Sequence, residues 1–573
     1  MTAPTATLDP RTLDGEFTAE LRHHLLERRW AYMHRRVKQP LIRVWDKDFN
    51  FIARVDGLAE KWDWEEIATE DGEAHVHFTG KQTDWLREIV AYQIDDDEDV
   101  HVTIDPDPDK PHDFYTRWGG KVLTIEGEDN AGEASAFTLN CISNRRHLSG
   151  IYLAATPITP MEFQPLKMFM WGGPTCSTAA FATWINCFRL YSLNGFSPIP
   201  RNVFAPETWL ENVSPLNWPV QVMPVVPLLD QSRWCTLAAR WKDAHTVLSP
   251  IMRDAGVICR AYTWLPGDPA PYTMFGPELA ELLKPTRACV ILSFENKSGV
   301  TGPTGTAADG ALNLFAATLD DLITETLIPL DTDRDTETDP FFRKLLLVAP
   351  APPPFVYRDV GYGNVRRAKW VIHKSQATDI IVGGKSPQWV NMAITFAIRY
   401  AISQLAQVVM GVEAPGVEGL DNLYQGQLDD VFLAFQRFVN PLRSAKAGPY
   451  AFREYHKQGN GSAYTVNALQ DLAAGEHEMK PYRSMRFDIG DGQPYVLGED
   501  FWLGDRVSAE IRGVVYTDQI YAIKAEGDRT TAGRPEVSFG DDSREEDPIA
   551  RGFRTISNVA NFAGLLAGSG DMF

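Results

Sequence analysis

Residues 496–507 read Val-Leu-Gly-Glu-Asp-Phe-Trp-Leu-Gly-Asp-Arg-Val. They lead into Val514-Val-Tyr-Thr-Asp-Gln-Ile-Tyr-Ala-Ile-Lys524 and Pro535-Glu-Val-Ser-Phe-Gly540. Alternating apolar residues such as Val507, Ala509 and Ile511 mark strands with one buried face. Gly504-Asp505 punctuates two of these runs, as a tight turn with positive φ requires. The passage holds no nucleophile, paired base or metal cluster. It reads as a small β-barrel, a building block.

The same period-two pattern opens the chain's main body. Leu41-Ile-Arg-Val-Trp45 and Phe49-Asn-Phe-Ile-Ala-Arg-Val55 flank Asp46-Lys-Asp48, a hairpin in chemistry and length. Ala74–Phe78, Val100–Ile104 and Val122–Ile125 continue a β-rich region to about residue 165. Asp95-Asp-Asp-Glu-Asp99 and Asp105-Pro-Asp-Pro-Asp109 lie between these strands and read as solvated acidic loops.

The region from 166 to 365 is mixed. Trp234, Leu237, Ala238, Trp241 and Leu248 fall on one helical face, and Cys289–Phe294 reads as a buried strand. Pro224, Pro227, Pro266, Pro269 and Pro271 predict irregular connections, and Ala349-Pro-Ala-Pro-Pro-Pro354 marks a boundary. Residues 366–470 predict two helices. One is a largely apolar helix over 390–410, capped by Ser386-Pro387 and ended by Gly411. The other carries Leu428, Val431, Phe432, Phe435 and Phe438 and stops at Asn440-Pro441. The first has a span's length, but it carries Asn391, Thr395, Arg399, Ser403 and Gln407. A central arginine costs roughly 2.5–3.5 kcal/mol on insertion scales, so a helix buried against protein is expected.

Both termini carry candidate docking segments, and the first reads equally as a solvated basic face. Residues 16–38 predict an amphipathic helix, with Phe17, Leu21, Leu25 and Tyr32 among Arg22, Arg28, Arg29, Arg35 and Arg36. After the acidic run 541–547, Ile549–Leu566 is apolar and rich in small residues, suited to a partner or sister subunit. The expected division is an N-terminal basic helical arm (1–40), a β-rich barrel domain (41–165), and a mixed α/β insertion (166–365). A helical and mixed domain (366–470), a second β-barrel (471–545) and an apolar docking tail (546–573) follow. The fold class is thus α+β and β-rich.

With 573 residues the chain exceeds what one growing core accommodates. Its 44% apolar and 23% charged content is that of a soluble globular protein. A formal net charge of −21 opposes gripping a nucleic-acid backbone, though a negative wall can border DNA without retaining it. Six cysteines (Cys141, Cys176, Cys187, Cys235, Cys259, Cys289) form no C-x-x-C pair and predict buried reduced thiols in a reducing cytoplasm. Residues 1–7 carry no basic and apolar leader pattern.

Catalytic motifs fail one by one. Gly383-Gly-Lys-Ser386 echoes a P-loop, but Asp379 replaces its first glycine and would repel phosphate. Asp331-Thr-Asp-Arg-Asp335 alternates like a calcium loop, yet Thr336 and Phe342 stand where Gly and Glu are required. His477-Glu478 lacks a second histidine, His23-His24 cannot share one helix-side site, and Gly461-Ser462-Ala463 lacks the flanking glycine of a nucleophile elbow. No catalytic, cofactor-binding or metal-ligating residue is assigned, and no cofactor is expected. Trp171, Trp184, Trp209 and Trp218 could stack on a glycan, but tryptophans in a large domain more often build core.

Three stretches together resemble the tail-hub, or minor tail, proteins of long-tailed phages of actinobacteria. They are Ile42-Arg-Val-Trp-Asp-Lys-Asp-Phe-Asn-Phe-Ile-Ala53, Asp379-Ile-Ile-Val-Gly-Gly-Lys-Ser-Pro-Gln-Trp-Val-Asn391, and Phe501-Trp-Leu-Gly-Asp-Arg-Val507 with Tyr516-Thr-Asp-Gln-Ile520. The resemblance spans most of residues 40–545. It implies a structural baseplate hub in the virion, made in the host cytoplasm. Such hubs form a homotrimer whose two tube-like barrels per chain make a pseudo-sixfold ring. The implied partners are the tail tube, distal tail ring, tape measure protein, central fibre or spike, and host envelope, with phage DNA passing through unbound. A tail-associated cell-wall hydrolase and a host-receptor or glycan binder are the alternatives.

Overall fold

The computed structural model describes residues 38–128, 136–197, 213–320, 341–357, 365–374, 376–383, 435–439, 441–458, 482–490, 495–511, 514–531, 533 and 535–540, with isolated positions at 19–30 and at 479. The strands read from both ends of the chain are present, but they do not close into two barrels. They form one 13-stranded sheet. Edge to edge it runs through Val365–His373, Tyr482–Gly490, Glu536–Phe539, Val514–Asp528, Ala59–Ile67, Glu73–Thr79, Ala136–Ser143, Trp118–Glu128, His101–Asp105, Leu41–Trp45 and Phe51–Arg54. Arg506–Ile511 pairs with Val514–Asp528, and the short strand Val356–Tyr357 pairs parallel to Arg506–Ile511.

The join is antiparallel pairing of Val514–Asp528 with Ala59–Ile67, which sets Lys524 opposite Glu65 and Asp528 opposite Lys61. Cross-strand pairs of opposite charge support that register. Beneath it one continuous core gathers Trp62, Trp64, Phe78 and Leu139 from the first half with Phe487, Ile520, Ile523 and Phe539 from the second. A period-two pattern states which face is buried, but the strand's partner depends on long-range packing.

The opening hairpin is as expected, although its second strand covers only Phe51–Arg54. Asp46 Oδ1 accepts from the amides of Asp48 and Asn50, and Phe49 adopts φ 60° inside the turn. Gly504 has φ 82°, and a Cβ there would lie 2.6 Å from Ile258 Cδ1. Asp505 Oδ2 accepts from Trp502 N and closes that turn.

The mixed insertion rests on this sheet. Its three-stranded sheet runs in the order Val220–Val222, Cys289–Asn296, Val257–Trp264, with the first pair parallel. Helices Thr175–Tyr191 and Ala244–Ala255 pack around it, and Trp218, Leu237, Leu248 and Phe294 share their core. Cys289–Phe294 is the expected buried strand.

Two sequence expectations are corrected. Trp234–Ala239 is a strand paired antiparallel with Phe169–Pro174, not part of a helix. The helix starts at Ala244, because Asp243 Oδ1 accepts from Thr246 N and caps it. Likewise Phe435–Val439 is a strand that pairs antiparallel with Asp379–Gly383. Pro441 then occupies the first turn of helix Pro441–Ala447. In both stretches a three-or-four-residue recurrence of apolar side chains coexists with strand-compatible Thr, Val and Phe, and tertiary pairing decides. The expected helix over 390–410 and the tail 546–573 lie outside the described residues. Among the described residues no helix is long and apolar enough to cross a membrane.

Candidate functional site

The densest chemistry lies at the junction between the large sheet and the insertion. Asp105, expected in a solvated loop, ends strand His101–Asp105 and is 1% exposed. Its carboxylate accepts from Arg43 Nη2 at 2.6 Å and from Arg117 Nε at 2.7 Å. Arg117 is itself buried and donates onward to Asp268 Oδ2 at 2.6 Å and to the carbonyls of Thr263 and Pro111. His112 Nδ1 lies 3.2 Å from Asp268 Oδ1. Burial pushes the Asp105 carboxyl above its usual range even though Arg117 and Arg43 pull it down. Charges removed from water in this way persist only when paired and hydrogen-bonded.

A second cluster clamps the insertion to both halves of the sheet. Arg260 donates from Nε to Glu66 Oε1 at 3.2 Å and from Nη2 to Tyr115 O at 2.7 Å. Its guanidinium stacks 4.8 Å from the Tyr262 ring centroid and 5.5 Å from that of Trp502. Tyr262 OH donates to Glu295, while Lys297 bridges Glu295 and Asp505. Burial opposes Arg260's charge, but Tyr262, Glu66 and Glu295 push its pKa up. Arg260 and Lys297 hold Glu295 below the usual carboxylate range despite burial. These contacts weld three stretches far apart in sequence. Each charged side chain named in this cluster is engaged by another protein group.

An aromatic-lined cavity opens beside helix Thr175–Tyr191. It holds about 320 Å³ and is lined by Phe181, Trp184, Trp218, Met223, Tyr272 and Phe275 among others. Its polar groups are engaged by protein partners. Gln221 Nε2 donates to the carbonyls of Leu216 and Trp218, and its Oε1 accepts from Tyr272 OH. Ser177 Oγ donates to Asp230 at 2.7 Å. A sugar needs free polar partners at its hydroxyls, so this cavity suits an apolar occupant. Trp171 lies tilted against Phe181 at 4.3 Å between ring centroids and is 43% exposed, Trp184 is 37% exposed, Trp218 is core, and Trp209 lies outside the described residues.

The remaining motifs fall apart spatially. Asp379 begins strand Asp379–Gly383, and Arg437 holds its carboxyl below the usual range by direct hydrogen bonding. Residues 95–98 are exposed, with Glu98 paired to Lys47 and Asp99 to Lys121. His23 and His24 are exposed on a helical segment. Asp331–Asp335, Ser462 and His477-Glu478 lie outside the described residues. Burial pushes the thiols of Cys141, Cys176 and Cys289 far up, those of Cys187 and Cys259 to about 12 and that of Cys235 to about 11. None is a thiolate nucleophile at neutral pH. Among the described residues no three His, Cys, Asp or Glu side chains are grouped to hold a metal ion.

Sequence reading missed Arg117, Arg260, Asp268 and Glu295. The available signal was weak: arginines and acids inside apolar runs such as Val257-Ile-Cys-Arg-Ala-Tyr262, where a charge must find a buried partner.

Fold and junction define a β-rich protein in which one large antiparallel sheet carries a clamped α/β insertion. The chain belongs to the siphovirus ReqiPepy6 Gp37-like protein family, whose model matches residues 41–541. All three stretches that carried the siphovirus resemblance lie inside that range. Solved structures to which it is similar include the tail protein from Neisseria meningitidis MC58, at 9% identity over 88% of this chain and 97% of that one, TM-score 0.33. The 43 kDa tail protein of prophage MuSo2 from Shewanella oneidensis shows 10% identity over 89% and 99%, TM-score 0.34. Prophage tail protein gp18 from Listeria monocytogenes EGD-e shows 10% over 91% and 99%, TM-score 0.32. No curated protein matches the chain.

Proposed function

We propose that the protein is a structural hub of a siphophage tail tip. It assembles as a homotrimeric ring, joins the tail tube and distal tail ring to the central fibre or spike, and lines the DNA ejection channel. The observation that carries this reading is the family match over 41–541. The sheet supports it, because it fuses the chain's two β-rich ends, 41–165 and 471–545, into one wall with the insertion 166–365 clamped to it. A rigid wall is what a load-bearing ring requires. The formal charge of −21 fits a lumen past which DNA slides without sticking.

In this reading the protein has no catalytic role. Its partners are virion proteins, with the tape measure protein above and the host envelope below. It is made in the host cytoplasm and functions in the virion. The buried cysteines and the mutual pairing of Arg117 with Asp268 and of Arg260 with Glu66 favour this over a cell-wall hydrolase. A zymogram of purified protein on mycolate-type cell walls tests that point: no clearing is expected. Clearing abolished by a single carboxylate substitution would replace the structural reading with an enzymatic one.

A further inference from the structure

Helix Thr175–Tyr191 separates two apolar features of the insertion. On one face Ser177, Phe181 and Trp184 line the 320 Å³ cavity. Asn186 lies nine residues beyond Ser177, which at 3.6 residues per turn is half a turn out of phase. On that opposite face Asn186 Oδ1 accepts from Ala154 N at 3.1 Å, and on the flank of the helix Arg189 Nη2 donates to Tyr152 O at 3.0 Å. Those bonds anchor the root of the loop 155–168.

The loop is pinned from within. Gln164 Oε1 accepts from Thr156 N at 2.7 Å, and its Nε2 donates to Pro160 O at 2.8 Å and to Thr159 Oγ1 at 3.2 Å. Leu166 N donates to Thr156 Oγ1. This ordered scaffold displays Ile158, Met161, Phe163 and Leu166, each 57–65% exposed. Around the cavity, Leu228, Leu229 and Leu282 are 62–74% exposed. A rigid loop that presents four large apolar side chains marks an interaction surface.

We propose that Met161 and Phe163 of one copy insert into the aromatic cavity of the next copy, head to tail, and that this contact helps close the ring. The proposal rests on the hub reading above. Two side chains of roughly 100 Å³ each fill most of the cavity at interior packing density. At 57–74% exposure each, these seven residues of loop and rim present on the order of 800 Å², which with the cavity lining approaches the roughly 1,200 Å² at the low end of specific interfaces. A knob and a hole at different places on one domain make a heterologous contact, the type that generates rings when the rotation closes. A lipid surface is the poorer occupant: the loop's charges are Glu162 and Lys167 alone, and a chain of net charge −21 is repelled by anionic headgroups.

The test mixes full-length Phe163→Cys protein with full-length Phe275→Cys protein under mild oxidation. Disulfide-linked pairs are expected in the mixture, absent from either variant alone, and lost when Met161→Glu is added to the Phe163→Cys chain. Circular dichroism of each variant reports folding, since all three positions are solvent-exposed. No mixed disulfide, or linkage only between two Phe163→Cys chains, overturns the contact. So does binding to phosphatidylcholine vesicles that Phe163→Glu abolishes. An oligomer without the mixed disulfide overturns this contact and leaves the hub reading intact. A position off the tail axis overturns the hub reading and leaves the cross-link result unchanged.

Discussion

Arg117→Leu removes the central cation of the junction. Asp268 then keeps Leu265 N and the exposed His112, while Asp105 keeps Arg43. Breaking a buried pair by deleting one partner costs about 3–5 kcal/mol, because the other charge stays buried and under-compensated. Arg117 also satisfies the Thr263 and Pro111 carbonyls, which favours the upper end of that range. The companion Asp268→Asn keeps the shape and removes the charge. In the double variant the mismatch partly cancels, so a coupling of at least about 1.5 kcal/mol is expected between these touching residues. The assay is urea unfolding followed by tryptophan fluorescence, with limited proteolysis as a second probe. Because Arg117 sits on the large sheet and Asp268 on the insertion, an early transition should appear in which the insertion separates first. Single-variant losses below about 1 kcal/mol, or losses that add within about 0.5 kcal/mol, would refute the clamp.

Three further outcomes follow from the same structure. Burial lowers His101 from 6.5 to about 4, so the fold holds it neutral where the unfolded chain protonates it. The stability this confers is complete above pH 6.5 and is lost as pH falls toward 4. The loss is about 3 kcal/mol, and His101→Gln should flatten that acid limb in denaturation against pH. Gly504→Ala must take φ 82° and meet Ile258, so a lower melting temperature corresponding to about 1–3 kcal/mol is expected by calorimetry. Asp230 accepts from the amide of Ser177 at the start of helix Thr175–Tyr191, where Pro174 offers no side-chain cap. Asp230→Ala should therefore cost about 1–2 kcal/mol, read as earlier hydrogen exchange at the helix's first turn.

Much of the fold was legible where burial alternates along one strand. Ala74, Val76 and Phe78 declare their buried face through apolar side chains alone, whereas Thr103, Asp105 and Ser508 are buried on faces that the alternation assigns to solvent. The joining of both chain ends into one sheet was not legible. Nothing local distinguishes pairing of Val514–Asp528 with Ala59–Ile67 from closure on its own neighbours, so two barrels were expected where one open sheet stands. The Trp234–Trp241 misreading has a similar origin: its spacing satisfies a helix, and only the partner strand Phe169–Pro174 settles it. At the junction, Asp105 belongs by sequence to an acidic run, and its burial depends on Arg117, Arg43 and the fold between them. The cavity's aromatic content was visible in Trp184 and Trp218. The loop 155–168 was not, because its order comes from Gln164 bonding to several backbone and side-chain groups at once.

The central claim is that this chain forms a ring at the end of a phage tail. Electron cryo-microscopy of virions carrying the chain, with residues 41–541 fitted into the tail-tip density, tests it directly. The account predicts three copies around the tail axis, with the large sheet facing the channel and the insertion outside it. Density that places the chain off the axis, or in a single copy, would contradict it.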